Sequence, residues 1–254
     1  MQKIILITIL LLTFSFKAQA DQALTVWNSP QGLETLQHSK YKNDFYQIVN
    51  FYQPQMNPLY CGVASSVIVL NALEYGKIAN QKELATQLPE SVGGAEVPYN
   101  LYSQINFLND KTDKIKSRQV IEFKQKNAKG EYDAGISLVD LRDILSQAYK
   151  MHVKINYVSK NGEKYVAKFR QDLRKYLAED KNFVVANFDG KVLGSKTGGH
   201  FSPLVAYDEE SDLVLILDVA LHKQNWYFVS AAKLYEAMNT KDADHYRGYL
   251  VVAK

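Results

Sequence analysis

The segment QMNPLYCGVASSVIVLNALEYG, residues 55–76, holds the only cysteine of the chain, Cys61. The residues after Cys61 are apolar on nearly every face of a helix, which is typical of a central helix buried by the rest of the fold. Gly76 suits the end of this helix, because glycine readily adopts the left-handed conformation that closes helices. The segment predicts a buried central helix with a lone thiol at its start.

Four roles are open for Cys61 on this segment alone: buried filler, half of an intermolecular disulfide, a metal ligand or a nucleophile. One cysteine cannot form an internal disulfide. A free thiol in an oxidising compartment is exposed to oxidation, so its retention suggests a use, although complete burial would also protect it. At a helix N-terminus, unpaired N–H groups and the helix dipole favour a thiolate.

The first 20 residues predict a secretory signal peptide, with Lys3, an apolar run at residues 4–16, and Ala-Gln-Ala at 18–20. The run is too short for a helix that must cross about 30 Å of hydrocarbon. We therefore expect an exported protein, periplasmic or secreted, with residues 21–254 as one domain and no membrane attachment after cleavage. The net charge of +3 comes from interspersed charges, which argues against nucleic-acid binding.

Helical patterns dominate the first half of the chain and strand patterns the second, which predicts an α+β fold. Expected helices are one that starts at Cys61 and others at residues 81–87, 99–108, 135–150 (with Ser137 and Asp140 as a capping box), 163–180 and 231–239. Expected strands lie at residues 152–158, 182–188, 201–207, 213–219, 225–230 and 246–253.

A hairpin around the acidic turn at residues 208–212 carries the second candidate group. If its turn centres near residue 209, His200 lies directly opposite Asp218, and opposed residues project from the same face of an antiparallel pair. An imidazole oriented by a carboxylate is what a catalytic base requires. With Cys61 as nucleophile, the Cys61 N–H and the Gln55 side-chain amide would supply an oxyanion hole. A register error of one residue would break the pairing.

Three motifs together resemble the phytochelatin synthase family: the segment from Gln55 to Cys61 and the helix after it, GGHFSPLVAYDEESDLVLILDVA at residues 198–220, and YRGYLVVA at 246–253. The order glutamine, cysteine, histidine, aspartate is that of papain-like thiol enzymes. The resemblance implies a papain-like fold, in which a helical N-terminal half with a central nucleophile helix packs on a C-terminal antiparallel sheet.

The same resemblance assigns roles to residues. Cys61, His200 and Asp218 become a catalytic triad, with Gln55 as an oxyanion donor. Arg247 is expected to bind the polar end of the substrate. The two carboxylates before it, Asp242 and Asp244, are candidates to hold a substrate amino group.

The implied activity is acyl transfer on glutathione: cleavage of its Cys–Gly bond, release of glycine, and transfer of γ-glutamylcysteine to water or to a second glutathione. No cofactor is expected for acyl-enzyme formation, while Cd or Zn enters as a glutathione–thiolate complex or activator. Five scattered histidines and one cysteine predict no metal site. A homodimer is left open.

The sequence departs from the family pattern in two places. It also shows no cysteine-rich C-terminal extension like that of plant members, and so resembles the short bacterial members, in which hydrolysis often outweighs peptide synthesis. Leu221 stands where an arginine is usual, and Ser195 where a glutamine is common. These changes put transfer to a second glutathione in doubt. Two alternatives are a papain-like peptidase or amidase for another exported substrate, and a catalytically inactive relative that binds thiols or metal.

Overall fold

A seven-stranded antiparallel sheet organises the computed structural model, which describes residues 24–254. The strands are β1 (Thr25–Val26), β2 (Thr86–Gln87), β3 (Glu96–Val97), β4 (His152–Tyr157), β5 (Asn182–Asp189), β6 (Gly199–Asp208), β7 (Leu213–Ile216), β8 (Tyr227–Ser230), β9 (Lys241–Asp242), β10 (His245–Tyr246) and β11 (Gly248–Ala253). The large sheet has the order β1-β8-β7-β6-β5-β11-β4, and β2–β3 and β9–β10 are separate hairpins. The predicted signal peptide lies outside the described residues.

The helices of residues 24–254 lie mostly before the large sheet in sequence. They are α1 (Pro30–His38), α2 (Asn43–Ile48), α3 (Cys61–Glu74), α4 (Gln104–Phe107), α5 (Asp110–Asp113), α6 (Arg118–Ile121), α7 (Leu138–Asp143), α8 (Glu163–Tyr176) and α9 (Ala231–Met238), with short 3-10 helices at Val49–Phe51 and Glu90–Val92 and a π-helix at Ile144–Ala148 that continues α7. The predicted α+β class is confirmed. Within this part of the chain, no helix has the length and apolar character to cross a membrane.

The sheet is covered on both faces, which explains why its central strands are nearly continuous apolar runs. On one face α3 packs against β6, with Val63, Val67 and Phe201 in the same hydrophobic core. On the other face α8 and α9 cover the sheet, with Phe169 and Leu234 in the second core. The predicted central helix is confirmed: it begins at Cys61, is buried along most of its length, and has Gly76 at φ +76° just beyond its end.

Two helix predictions in the region between α3 and α7 need correction. The helix at residues 81–87 is wrong, because Thr86–Gln87 pairs with Glu96–Val97 in an exposed hairpin that has no apolar face for a helix to bury. The helix at 99–108 shrinks to Gln104–Phe107. The Tyr102 N–H donates to Asn71 Oδ1 at 2.7 Å, and Asn71 Nδ2 donates to the Tyr102 carbonyl at 2.9 Å, so these backbone groups are bonded to a side chain and not within a helix.

Other helices follow the prediction more closely. The capping box of Ser137 and Asp140 is present at the start of α7, with Asp140 N–H donating to Ser137 Oγ at 3.2 Å. The helix predicted at residues 163–180 ends at Tyr176. The helix predicted at residues 231–239 is α9.

A bulge in β6 sets the geometry of the hairpin. The direct pairing predicted for His200 and Asp218 is wrong: Leu204 pairs with Ile216, so Asp218 falls across from a position two residues beyond His200. The register shifts between Leu204 and Ala206, and a shift of one residue exchanges the two faces of a strand. If the register next to the turn continued without a bulge, the Asp218 side chain would lie on the other face of the sheet from that of His200. The bulge therefore puts both side chains on the same face.

Candidate active site

Cys61 is the first residue of α3, and its side chain is half-buried. The helix behind it is held rigidly, since Val63 and Ala64 are fully buried in the core. A Cβ added to Gly62 would stand 3.5 Å from Phe201, in ordinary contact. The start of α3 therefore lies directly against β6, one residue from His200.

His200 is the candidate base for the Cys61 thiol. Its side chain is buried, its Nε2 lies 2.9 Å from Asp218 Oδ1, and interaction with Cys61 helps to raise its pKa. Ser202 Oγ is 3.2 Å from the same Nε2 but donates its proton to the Phe201 carbonyl at 2.7 Å. Because Nε2–H donates to the carboxylate, Nδ1 is the nitrogen left for the thiol.

Asp218 is fully buried and lies two residues beyond the end of β7. Besides the His200 contact, Oδ1 accepts from the Ala220 N–H at 2.7 Å, and Oδ2 accepts from Gln224 Nε2 at 2.6 Å. Burial alone would raise the pKa of this carboxyl, but the hydrogen bond and charge of His200, with these two donors, lower it on balance. The carboxylate is thus anionic and fixed.

The thiol and the imidazole shift each other's pKa in opposite directions. Burial disfavours the thiolate, yet the hydrogen bond and charge of His200 and the N–H groups of Phe201 and Gly62 lower the pKa of Cys61 on balance. Burial also disfavours the imidazolium, but Asp218 and Cys61 raise the pKa of His200 to about 9. These directions favour a thiolate–imidazolium pair at neutral pH.

We expect iodoacetamide to alkylate Cys61 rapidly at about pH 6, where an ordinary thiol is almost fully protonated. The sign follows from the lowered pKa of Cys61: thiolate is gained as pH rises through that pKa, so the rate of the folded protein reaches its plateau at lower pH than that of the urea-unfolded chain. Mass spectrometry of the alkylated protein across pH gives both profiles. Coincident profiles would contradict the ion pair.

Gln55 is fixed beside the Asp218 segment. Its backbone N–H donates to the Val219 carbonyl at 2.8 Å, and its side-chain Nε2 donates to the Asn57 carbonyl at 2.9 Å. The Tyr60 N–H donates to the same Asn57 carbonyl at 2.9 Å, so the loop folds back on the start of α3. A carboxamide nitrogen carries two hydrogens, and the bond to Asn57 leaves one for an oxyanion.

Arg247 is buried against the backbone that leads into His200. A Cβ on Gly199 would come within 2.7 Å of Arg247 Nη2, so the glycine leaves room for the guanidinium. Nη1 donates to Thr240 Oγ1 at 3.1 Å, and Nη2 lies 3.6 Å from Asp242 Oδ1. Of the two candidate carboxylates, Asp242 therefore pairs with Arg247.

The second carboxylate, Asp244, lies at the exposed tip of the β9–β10 hairpin. It lines a cleft of about 230 Å³ between this hairpin and residues 127–140. Ile136 also lines this cleft and would stand 3.6 Å from a Cβ on Gly62. The cleft therefore borders the start of α3.

Gln224 is a residue of this site that the sequence analysis missed. Its contact with Asp218 depends on how residues 219–223 turn back, because the Gln224 N–H reaches the Ala220 carbonyl at 3.2 Å. A glutamine in a polar segment gives no local signal of such a contact. In a strand, a spacing of six residues would put the two side chains on one face but about 20 Å apart, so it predicts no contact.

Comparison with known proteins gives a consistent set of matches. A family model described as phytochelatin synthase matches residues 16–249. Glutathione gamma-glutamylcysteinyltransferase 3 of Lotus japonicus is 27% identical over 212 residues, which is 83% of this chain and 37% of that protein. Glutathione gamma-glutamylcysteinyltransferase 1 of Arabidopsis thaliana is 24% identical over 212 residues, with the same shares of 83% and 37%.

A fungal relative matches a shorter region. Glutathione gamma-glutamylcysteinyltransferase of Schizosaccharomyces pombe is 35% identical over 86 residues, covering 33% of this chain and 21% of that protein. The chain spans less than two fifths of the length of the Lotus japonicus relatives it matches, 37% and 38%.

Proposed function

The chain belongs to the phytochelatin synthase family, and we propose that it is a cysteine-dependent acyltransferase that cleaves the Cys–Gly bond of glutathione. The observation that carries the proposal is the hydrogen bond from His200 to Asp218, with Cys61 near enough to His200 that each shifts the other's pKa. This is the arrangement required for a nucleophile, a base and a group that orients the base.

In the first step the Cys61 thiolate attacks the carbonyl carbon of the Cys–Gly peptide bond. The developing oxyanion accepts hydrogen bonds from Gln55 Nε2 and from the Cys61 N–H, which is an unpaired first-turn donor of α3. The C–N bond then breaks, and His200 gives its Nδ1 proton to the leaving glycine nitrogen. Asp218 stays ionised and stabilises the imidazolium until that transfer.

In the second step the γ-glutamylcysteinyl thioester meets an acceptor, from which His200 takes a proton. Attack by water gives γ-glutamylcysteine, and attack by the amino group of a second glutathione gives a short phytochelatin. Either reaction restores the pair of Cys61 thiolate and His200 imidazolium. Cd or Zn would enter as a glutathione–thiolate complex or as an activator. Among residues 24–254 there is no cluster of three or more histidine, cysteine, aspartate or glutamate side chains suited to a metal ion.

The decisive experiment incubates the protein without residues 1–20 with glutathione, with and without Cd²⁺, and identifies products by mass spectrometry. Glycine with γ-glutamylcysteine indicates hydrolysis, and glycine with a lengthened peptide indicates transfer. If neither glycine nor γ-glutamylcysteine products form, the proposed substrate is wrong. Cleavage of members of a peptide library in place of glutathione would point to a peptidase for another substrate.

Arg247 is proposed to bind the polar end of glutathione, with Asp242 as its partner. Replacing Arg247 by lysine removes the planar fork that pairs with a carboxylate. We expect KM for glutathione to rise roughly tenfold, with a smaller change in kcat. Steady-state kinetics measures this, with Arg142→Lys as a control because Arg142 pairs with its neighbour Asp143. A fall in kcat at unchanged KM would contradict a binding role.

Export and assembly are proposals of their own. Export rests on the pattern of residues 1–20, and we expect the N-terminal residue of the exported protein to be Asp21, as read by N-terminal sequencing. A homodimer stays a prediction that light scattering of the exported form decides.

A further inference from the structure

The Gln224 side chain joins Asp218 to the loop that precedes β6. Its Nε2 donates to Asp218 Oδ2 at 2.6 Å, and its Oε1 accepts from the Lys196 N–H at 3.0 Å. The direction of the amide is unambiguous, because an ionised carboxylate only accepts and a backbone N–H only donates. Each end of the amide therefore has the one partner that suits it.

We propose that Gln224 is a positioning residue, which holds the Asp218 carboxylate in the orientation that His200 needs. The proposal rests on the proposed function in that it assigns His200 the role of base. It goes beyond that function by adding a fourth member, outside the triad and the oxyanion hole, through which the carboxylate is oriented.

The first argument is that Gln224 is the hydrogen-bond donor to the second oxygen of the Asp218 carboxylate. The backbone of Asp218 lies beyond the end of β7, at Ile216, and is held at its carbonyl by the Tyr52 hydroxyl at 2.9 Å, which leaves the rotation of the carboxylate to its own partners. Its side chain is fully buried, and Oδ1 already serves His200 and the Ala220 N–H. A bond from Gln224 to the other oxygen defines the rotation of the carboxylate about its own axis. Losing a charge-assisted bond to a buried carboxylate is costly.

The second argument is that Gln224 is itself held. The loop from Gly190 to Gly198 is closed at its base by a bond from the Gly190 N–H to the Gly198 carbonyl at 2.8 Å, and it runs directly into His200. The Lys196 N–H at its tip fixes the Gln224 oxygen. One amide thus couples the segment that carries the base to the carboxylate that orients it.

Two variants separate the two hydrogen bonds. Gln224→Leu removes both. Gln224→Glu keeps an oxygen for the Lys196 N–H but donates to Asp218 only while the new carboxyl is protonated. Lys223→Ala is the matched control, because Lys223 is the exposed neighbour of Gln224. Thermal unfolding verifies that each variant folds.

For Gln224→Leu we expect kcat/KM for glycine release to fall roughly tenfold or more. The acid midpoint of Cys61 alkylation should move to higher pH, because a less well oriented carboxylate stabilises the imidazolium less. An unchanged alkylation midpoint in a folded Gln224→Leu variant would overturn the proposal. The alkylation profile needs no substrate, so it decides the role of Gln224 even if glutathione proves not to be cleaved.

For Gln224→Glu we expect kcat/KM relative to the parent protein to fall as pH rises between about 5 and 9, since the carboxyl loses its donor proton over that interval beside Asp218. A residue that only anchored the loop would tolerate this change at every pH. A pH-independent ratio for Gln224→Glu therefore overturns the proposal, and Lys223→Ala should match the parent protein throughout.

Discussion

Replacing Cys61 by serine is expected to abolish glycine release from glutathione, with kcat/KM lower by a factor on the order of 10⁴ or more. A serine hydroxyl has a pKa far above that of a thiol, so the charge of His200 and the N–H groups around position 61 cannot ionise it. The oxygen is close in size to sulfur, and α3 stays packed because Val63 and Ala64, not Cys61, fill the core.

Product analysis by mass spectrometry measures this loss, and thermal unfolding tests whether the variant is folded. Ser66→Ala is the control, one turn further along α3, where the buried hydroxyl only donates to the Gly62 carbonyl at 2.8 Å. It should retain kcat/KM within a few-fold. Substantial glycine release by the folded Cys61→Ser variant would show that Cys61 is not the nucleophile.

The central helix could be predicted because its signal is local. The mostly apolar segment from Val63 to Leu73, with Gly76 beyond it, is stable as a helix only in the interior, and the helix is found there. The helix predicted at residues 81–87 was wrong because a short polar segment carries almost no periodic signal. In that segment the pairing of Thr86–Gln87 with Glu96–Val97 decides the structure.

The neighbouring positions of His200 and Asp218 were predicted correctly, but the direct pairing used to predict them was wrong. The centre of the turn was placed at residue 209, whereas Asp208 pairs with Leu213, and β6 also contains a bulge between Leu204 and Ala206. Pro203 signals such an irregularity, because a proline inside a central strand is found chiefly at bulges, but it does not fix which residue is the extra one. The bulge puts Asp218 on the same face as His200, across from a position two residues beyond it, and the contact is the diagonal one between such positions.

The contacts of Arg247 with Gly199 and of Asp218 with Gln224 could not be predicted from the sequence. The burial of Arg247 against Gly199 arises from two strands that are 48 residues apart in the chain, and the bond from Gln224 arises from an irregular turn. Both are contacts of loops at the end of a sheet. Their geometry is fixed by the sheet order, which residue patterns alone do not supply.

Replacing His200 by asparagine is expected to lower kcat/KM roughly 10³-fold. Asparagine can still bond to Asp218, but it carries no proton to give to the glycine leaving group and no charge to stabilise the thiolate. Burial then acts unopposed by the imidazolium, so the pKa of Cys61 rises and thiolate is lost near neutral pH. Alkylation of Cys61 at about pH 6 should slow at least tenfold.

His222→Asn makes the same chemical change at an exposed position four residues after Asp218. It should leave both glycine release and alkylation as in the parent protein, which separates the loss of a base from the loss of any histidine in this segment. The two measurements also separate the two tasks of His200, because alkylation reports the thiolate alone and glycine release requires the proton transfer as well. If a folded His200→Asn variant is alkylated at pH 6 as fast as the parent protein, the imidazole does not stabilise the Cys61 thiolate. His200 would then not activate the nucleophile.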